Sequence, residues 1–511
     1  MAGKPPRRGG VLLTAEGSRG IIARPFRGPC MTVNRSMLVQ EVRSEELRLP
    51  YSAGECFERL SRERGVFFLD SGAGFGRLGR FSFLGAAPFL TLTARHGTVR
   101  IVRNGQERTR RGDPLGALRR VLAEFATERE ELPAPFATGG VGFLSYDLKN
   151  TIERLPSGAR RDMDVPELHF AFYDAVIAFD HEEERVYLSS SGQGMSRRTR
   201  KRRGLEASSR LLALLDGPPV SMPRTEERSG FHGTVESNFT RRDYVRTLAR
   251  TKEYIAAGDI FQANISQRFH ARWKGRDAEL YGALREANPA PFAAYLGFPD
   301  GTVLSSSPER FLKLSGRHVE TRPIKGTRRR TGESEPDRRA ARDLLASEKD
   351  NAELAMIVDL ERNDLGRVCE YGSVRVTEPR VLETYPTVFH LAATVEGELY
   401  PGRDLVDLVR ATFPGGSITG APKIRAMQII DELEPTARNL YTGSIGYVDF
   451  GGDADFNIAI RTMVKTGEDV YFQAGGGIVA DSDPEAEYEE TVDKARALMR
   501  ALGAGEWTGG R

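Results

Sequence analysis

Residues 303–327 read VLSSSPERFLKLSGRHVETRPIKGT. The apolar pieces Val303-Leu304-Ser305 and Phe311-Leu312-Lys313-Leu314 predict two paired strands. Between them stands Glu309, and sixteen positions further on Lys325 lies beside Gly326. A lysine in a partly desolvated pocket loses proton affinity and becomes an amine nucleophile, while a nearby glutamate can give or take a proton. The same letters also suit a salt bridge at a strand end.

Outward from this stretch, strands and helices alternate among many glycines from residue 240 onward. Helices are predicted over 241–257, 337–360 and 484–502, and strands over 444–450 and 458–464. Upstream, residues 38–190 read as an α/β segment with strands at 66–69 and 99–102 and an amphipathic helix at 114–125. Around 189–237 the texture turns to Ser, Gly, Pro and charge, with a basic knot at 197–203 and one short helix at 205–215. The chain thus divides into a basic extension expected to be disordered (1–36), an N-terminal region (37–190), a linker-rich connector (191–239), a catalytic region (240–502) and a tail (503–511).

Bulk composition excludes several classes. With 39% hydrophobic and 28% charged residues, the 511-residue chain is that of an ordinary globular protein. No apolar run approaches the roughly 18–20 residues that span a bilayer. The net charge of +3 comes from the head: residues 1–36 hold seven Lys/Arg and one acid, leaving 67 basic against 70 acidic residues elsewhere. The body is therefore not a basic nucleic-acid binder, and the 197–203 knot is expected to be a solvated linker. Three scattered cysteines (Cys30, Cys56, Cys369) without a CxxC argue against a disulfide framework or zinc site and for a reducing cytoplasm.

Three further clusters could carry chemistry. Asp350 and Glu353 stand at i,i+3 on one helix and Glu487 and Glu490 on another. Two such faces brought together offer hard oxygen ligands for Mg²⁺, although each also suits a solvated surface. In the run 414–423, PGGSITGAPK, the proline suits the first turn of a helix continuing through Met427, Ile430 and Leu433. A glycine loop there is either an anion site or a tight structural turn. It is no P-loop, because Ala421-Pro422 replaces the Lys-Ser/Thr pair. Arg461, in a predicted strand, and Gly475-Gly476-Gly477 could bind a carboxylate through a guanidinium fork and bare amides, or could simply pack.

The order and wording of the blocks go further than any cluster alone. GDIFQANISQRF (258–269), SSSPERF (305–311), RPIKGT (322–327), MIVDLERNDLGRV (356–368), PGGSITGAPKIRAM (414–427), FNIAIRTMV (456–464) and GGGIVADSDPEAEYEET (475–491) resemble the chorismate-using enzymes. These comprise anthranilate synthase component I, aminodeoxychorismate synthase component I, and isochorismate and salicylate synthases. The resemblance covers roughly 240–499, with weaker blocks at 68–85 and 139–148. It implies an α+β fold: two large, mostly antiparallel sheets packed as a sandwich with helices outside. It further implies that Glu353 and Glu490 ligate Mg²⁺, with Asp350 and Glu487 holding its waters. Arg461, Tyr441, the amides of Gly475, Gly476 and Gly477, and Lys494 would hold the carboxylates of chorismate. Thr327, His390 and Ser417 would line the ring and enolpyruvyl pocket, and Glu309 would be the general acid/base.

Two positions separate the members. Water-using isochorismate and salicylate synthases carry a base lysine where this chain has Gln262, which favours amination by ammonia. Anthranilate synthases usually read Pro-Ile-Ala-Gly-Thr, whereas Lys325 here matches the aminodeoxychorismate synthases and implies a covalent lysine intermediate. Such an enzyme makes 4-amino-4-deoxychorismate for 4-aminobenzoate and folate. The alternatives are an anthranilate synthase component I and, remotely, a nucleic-acid-binding protein. Without a Cys-His-Glu glutaminase arrangement, ammonia is expected from a separate glutamine amidotransferase subunit in a heterodimer. A separate aminodeoxychorismate lyase is expected downstream. The family's N-terminal half can also hold a tryptophan pocket, starting near Ser71; here Asp70 replaces the usual Glu.

Overall fold

The 303–314 stretch does not close a hairpin. In the computed structural model, Gly301–Ser307 pairs with Phe292–Phe298 and Thr462–Thr466 in one sheet, whereas Arg310–Ser315 pairs with His318–Arg322 and Ala454–Asn457 in another. The chain therefore crosses from sheet to sheet at Pro308 and Glu309. Proline, with no N–H to give a ladder, suits the crossing. The partners that decide it, such as Phe456 opposite Leu312, lie far along the chain.

The structure describes residues 41–72, 74–128, 131–192, 196–217, 230–385, 388–505 and 507. The expected extension at 1–36 lies outside them, as do 193–195 and 218–229 of the connector and residues 506 and 508–511 of the tail.

Among the described residues each sheet has twelve strands, paired antiparallel. The first runs, in order, Glu41–Leu47, Arg185–Gly192, Ala175–Asp180, Phe81–Gly85, Phe67–Asp70, Phe292–Phe298, Gly301–Ser307, Thr462–Thr466, Asp469–Ile478, Gln262–Trp273 and Phe231–Ser237, with Gly420–Ala421 also on Gln262–Trp273. The second runs Ile324–Arg329, Val388–Glu398, His318–Arg322, Arg310–Ser315, Ala454–Asn457, Ser444–Asp449, Gly139–Leu144, Leu168–Tyr173, Leu90–Arg95, Thr98–Arg103 and Gln106–Arg111, with Arg375–Thr384 also on Val388–Glu398. Both sheets draw strands from before and after the connector.

Alternation along the strands builds the layers. Phe67, Val303 and Val464 face Phe143, Ile445 and Tyr447 in a core between the sheets. Their neighbours Phe68, Leu304 and Met463 point the other way, under the helices Ala53–Leu60, Asp277–Ala287 and Pro484–Leu502. Outside the second sheet, Leu312, Leu391 and Val395 pack with Leu344, Leu354 and Leu365. The arrangement is the α+β sandwich with helices outside.

Four local expectations are corrected. The helix expected at 337–360 is two, Ser334–Ala346 and Glu348–Gly366. Ser347 leaves helical geometry and caps the second by accepting from the Asp350 N–H at 3.2 Å. The short helix at 205–215 extends over Arg197–Leu215, and the basic knot forms its first two turns. Ser196 caps it, and Arg197 and Arg202 pair with Glu41 and Glu206. The glycine loop does not open a helix at Pro414. Gly420–Ala421 joins the sheet edge and the helix Lys423–Leu433 starts after Pro422. Arg461 precedes its strand rather than lying in it, at φ 51°.

Candidate active site

The sheet crossing carries Glu309 into the space between the Ile324–Arg329 strand and the 416–418 turn. Its Oε1 receives only a long hydrogen bond, 3.4 Å, from the Ile324 N–H. Burial pushes its pKa up, and Ser417 and the Lys325 charge offset only part of that. Lys325 Nζ donates to the Ser417 carbonyl at 3.0 Å. Burial pulls its pKa down, against Glu353 and Glu309 pulling it up. Ser417 is itself buried, and its hydroxyl, beside Glu309, has no hydrogen-bond partner of good geometry. A lysine inclined to be neutral and a glutamate inclined to be protonated thus share one desolvated corner, the combination that nucleophilic and acid–base chemistry requires.

The acidic pairs converge on this corner. Burial raises Glu353, Lys325 and Lys349 lower it, and Asp350 and Glu487 push it further up. Lys349 Nζ reaches between the helices, 3.6 Å from Glu487 and 4.0 Å from Glu353. Asp350 accepts from Arg328 at 3.0 Å. Burial alone would raise Glu490, but Lys494 at 2.6 Å outweighs it and holds Glu490 below its ordinary value.

Among the described residues, no three His, Cys, Asp or Glu side chains are close enough to hold a metal ion as they stand. Mg²⁺ does not need three, because it keeps waters and takes one or two carboxylates plus substrate oxygen. The donor set fits such an ion, and Gly476 keeps the space before it open. A Cβ there would sit 2.9 Å from Glu487 Oε2 and 3.8 Å from Glu490 Oε1.

Beside the carboxylates lies a positive wall. Lys494 Nζ donates to the Gly475 carbonyl at 2.9 Å, and Arg461 Nη1 to the Lys494 carbonyl at 2.5 Å. Arg461 is held by a left-handed backbone, which is uncommon outside glycine and is met at functional positions. Burial lowers its pKa, against the nearby Tyr441 and Glu490. Gln262 packs so tightly on the last glycine that a Cβ at Gly477 would fall 2.1 Å from its Nε2. Gln262 Oε1 is buried with no hydrogen-bond partner.

His390 completes the opposite rim. Its Nδ1 lies 3.2 Å from the Gly326 carbonyl and 3.0 Å from Thr327 Oγ1. A carbonyl only accepts, so Nδ1 carries the proton and Nε2 is the basic nitrogen. Burial lowers its pKa to about 4, so the ring is neutral at physiological pH.

Ser71 lies apart from all of these. It lines a cavity of about 460 Å³ with Arg77, Phe81, Phe83, Arg310 and Tyr447. Its hydroxyl is tied to the Phe81 carbonyl, and Asp70 is engaged by Arg285 and the Tyr281 hydroxyl.

Sequence reasoning missed three contributors: Lys349, Arg328 and the buried Glu361. Two have a spacing signal, since Lys349 stands at i,i+4 from Glu353 and Glu361 two turns beyond it, whereas Arg328, on a strand, has none. Neither described cysteine is poised as a nucleophile, because burial pushes the Cys56 and Cys369 thiols up to about 12 and 11.

The chain matches the chorismate binding enzyme family over residues 68–500. It belongs to that family. The aminodeoxychorismate synthase component 1 of Bacillus subtilis is 40% identical over 446 residues, covering 87% of this chain and 93% of that one. The anthranilate synthase component 1 of Thermus thermophilus is also 40% identical, over 460 residues, covering 89% and 96%. Among solved structures, anthranilate synthase component I from Streptococcus pneumoniae superposes with a TM-score of 0.73 at 32% identity, covering 84% of this chain and 93% of that one. Overall identity therefore does not separate the two activities. No helix among the described residues is long and apolar enough to cross a membrane.

Proposed function

We propose that the chain converts chorismate and ammonia to 4-amino-4-deoxychorismate, the activity of the aminodeoxychorismate synthases, with Lys325 as covalent nucleophile. The observation that carries this reading is the environment of Lys325. Its side chain is half-buried near Glu309, its amine donates to the Ser417 carbonyl, and desolvation shifts it toward the neutral, nucleophilic form.

Arg461, Lys494 and the Gly475–Gly477 amides take the substrate's carboxylates, and His390, Thr327 and Ser417 border its ring and enolpyruvyl group. Mg²⁺ held by Glu353 and Glu490, with Asp350 and Glu487 on its waters, would supply charge to the ring carboxylate and assist departure of the C4 hydroxyl. Lys325 attacks C2 through its lone pair, the ring double bond shifts, and the C4–O bond breaks. Glu309 gives its proton to the departing oxygen, which leaves as water. Ammonia then forms a bond to C4, the double bond returns, and the C2–N bond to Lys325 breaks. The proton that ammonia sheds returns through Glu309. Gln262 offers its unpartnered carbonyl oxygen to ammonia rather than an amine that would activate water.

Ammonia is supplied by a glutamine amidotransferase subunit, consistent with the "component 1" in the relatives' names. A separate lyase then releases 4-aminobenzoate in the cytoplasm. The test incubates the purified chain with chorismate, ammonium and Mg²⁺, then separates products with and without added aminodeoxychorismate lyase. The reading requires 4-aminobenzoate only when lyase is added. Anthranilate formed without lyase would establish the alternative that the Thermus relative represents.

A further inference from the structure

Among the described residues, only two buried side-chain carbonyl oxygens have no hydrogen-bond donor: Gln262 Oε1 and Asn264 Oδ1. They belong to residues two apart on the strand Gln262–Trp273, 1% and 7% exposed. A buried carbonyl without a donor is costly, so two on neighbouring side chains point to a ligand rich in N–H or O–H groups.

The two side chains share a face. Ala263 and Ile265 turn into an apolar layer with Leu248, Ile429 and Ile430 of the helices Arg241–Ala256 and Lys423–Leu433. Alternation along the strand sends Gln262 and Asn264 the other way, with Cα atoms roughly 6.5–7 Å apart. The Gln262 amide closes part of that gap. Its Nε2 lies 2.1 Å from where a Cβ of Gly477 would be, and Gly477 is the residue opposite Asn264 in the ladder.

Hydrogen bonds fix which end of the Asn264 amide is free. Its Nδ2 donates to the Ile418 carbonyl at 3.1 Å, which leaves Oδ1 as the open end. Its backbone N–H donates to the Thr419 carbonyl at 2.8 Å. The carbonyl just before these, that of Ser417, accepts from Lys325 Nζ at 3.0 Å. The Asn264 amide and the Lys325 amine are thus anchored to consecutive carbonyls of one segment.

We propose that Asn264 joins Gln262 in binding ammonia: each side-chain oxygen accepts one N–H, and the nitrogen lone pair is left to form the bond to C4. The proposal rests on the amination reading. Ammonia has three N–H donors and one lone pair, so two acceptors hold it without occupying the pair that reacts. An amide oxygen is too weak a base to take a proton from water, so water held there is not activated. Ammonia is already a nucleophile and needs only to be aimed.

The test is steady-state kinetics of the full chain with chorismate, Mg²⁺ and ammonium, following the ammonia-dependent loss of chorismate. Asn264→Leu keeps the size of the side chain and removes its oxygen. Arg438 Nη1 still donates to the Ile418 carbonyl at 3.2 Å, so that carbonyl is not stranded. The KM for ammonia is expected to rise on the order of tenfold or more, with the KM for chorismate within about twofold. Where that variant does not fold, Asn264→Asp serves, because it keeps an acceptor oxygen and loses only the Nδ2–H. It is expected to hold the KM for ammonia at or below the wild-type value, and a rise there overturns the proposal.

An Asn264 that merely braces the segment carrying Lys325 would raise the KM for chorismate or lower kcat, with the KM for ammonia unchanged. That outcome overturns the proposal. So does a lowered unfolding temperature alone, the mark of a structural water between the two oxygens. Loss of chorismate is read whichever aminated product forms, so the result does not depend on the role of Lys325. A wild type without ammonia-dependent turnover would defeat the proposed function itself. Wild-type turnover with an unaltered KM for ammonia in Asn264→Leu would defeat this site alone.

Discussion

Glu309 and Arg310 are neighbours in the chain and opposites in environment. Arg310 is buried with its fork filled: Asp455 accepts at 3.0 and 2.9 Å and Glu320 at 2.5 Å. Burial alone would lower its pKa, yet Asp455 and Glu320 more than reverse that and hold its charge. Glu309 has one long contact and a pKa pushed up by burial. The pattern recurs: Arg438 and Glu434 are paired twice, at 2.9 and 2.7 Å, while Ser417 Oγ and Gln262 Oε1 have no partner. Satisfied buried charge at Arg310 ties three neighbouring strands of the second sheet together. Buried polar atoms left without partners, as at Ser417 and Gln262, are what the proposed substrate would engage, at some expense to stability.

This contrast can be broken from the functional side first. Lys325→Ala is expected to lower amination at C4 by on the order of a thousandfold or more, leaving slow direct attack of ammonia at C2. Product analysis by liquid chromatography reads both. Glu309→Gln, which keeps shape and removes the exchangeable proton, is expected to lower kcat roughly 10²–10⁴-fold with the fold intact.

Stability measurements sharpen it. Arg310→Met strands Asp455 and Glu320 and is expected to cost about 3–5 kcal/mol in urea unfolding. Lys325→Met removes an ammonium that burial disfavours and is expected to stabilise by about 1 kcal/mol, the opposite sign. The smallest effect is a pH slope. Glu361 binds its proton more tightly folded (about 8) than unfolded (near 4.5), so the contribution is full below the unfolded value and is lost as pH rises through the folded one. Unfolding midpoints of Glu361→Gln should therefore decline less steeply than wild type between those values.

The candidate site was more legible than the path of the chain. The acidic pairs stand at a readable i,i+3 spacing within one helix each, whereas Lys325 and Glu309 were singled out by the wording of sequence blocks that span several elements. Which sheet takes Arg310–Ser315 was not, because that is settled by pairing with Ala454–Asn457, and two short apolar runs around a proline read equally well as a hairpin. The break at Ser347 escaped for a local reason: apolar periodicity continues across it, and only the capping bond to Asp350 ends one helix and starts the next. Glu361 was passed over because an acid on a charged helix reads as solvated, although its spacing from the buried Leu354, Ile357, Val358 and Leu365 points it inward.

The most direct test of the central claim is intact-protein and peptide mass spectrometry after mixing the enzyme with chorismate and Mg²⁺ in the absence of ammonia. The account predicts a chorismate-derived adduct that maps to Lys325, is absent in Lys325→Ala, and is discharged when ammonium is added. No adduct, together with undiminished aminodeoxychorismate formation by Lys325→Ala, would contradict it.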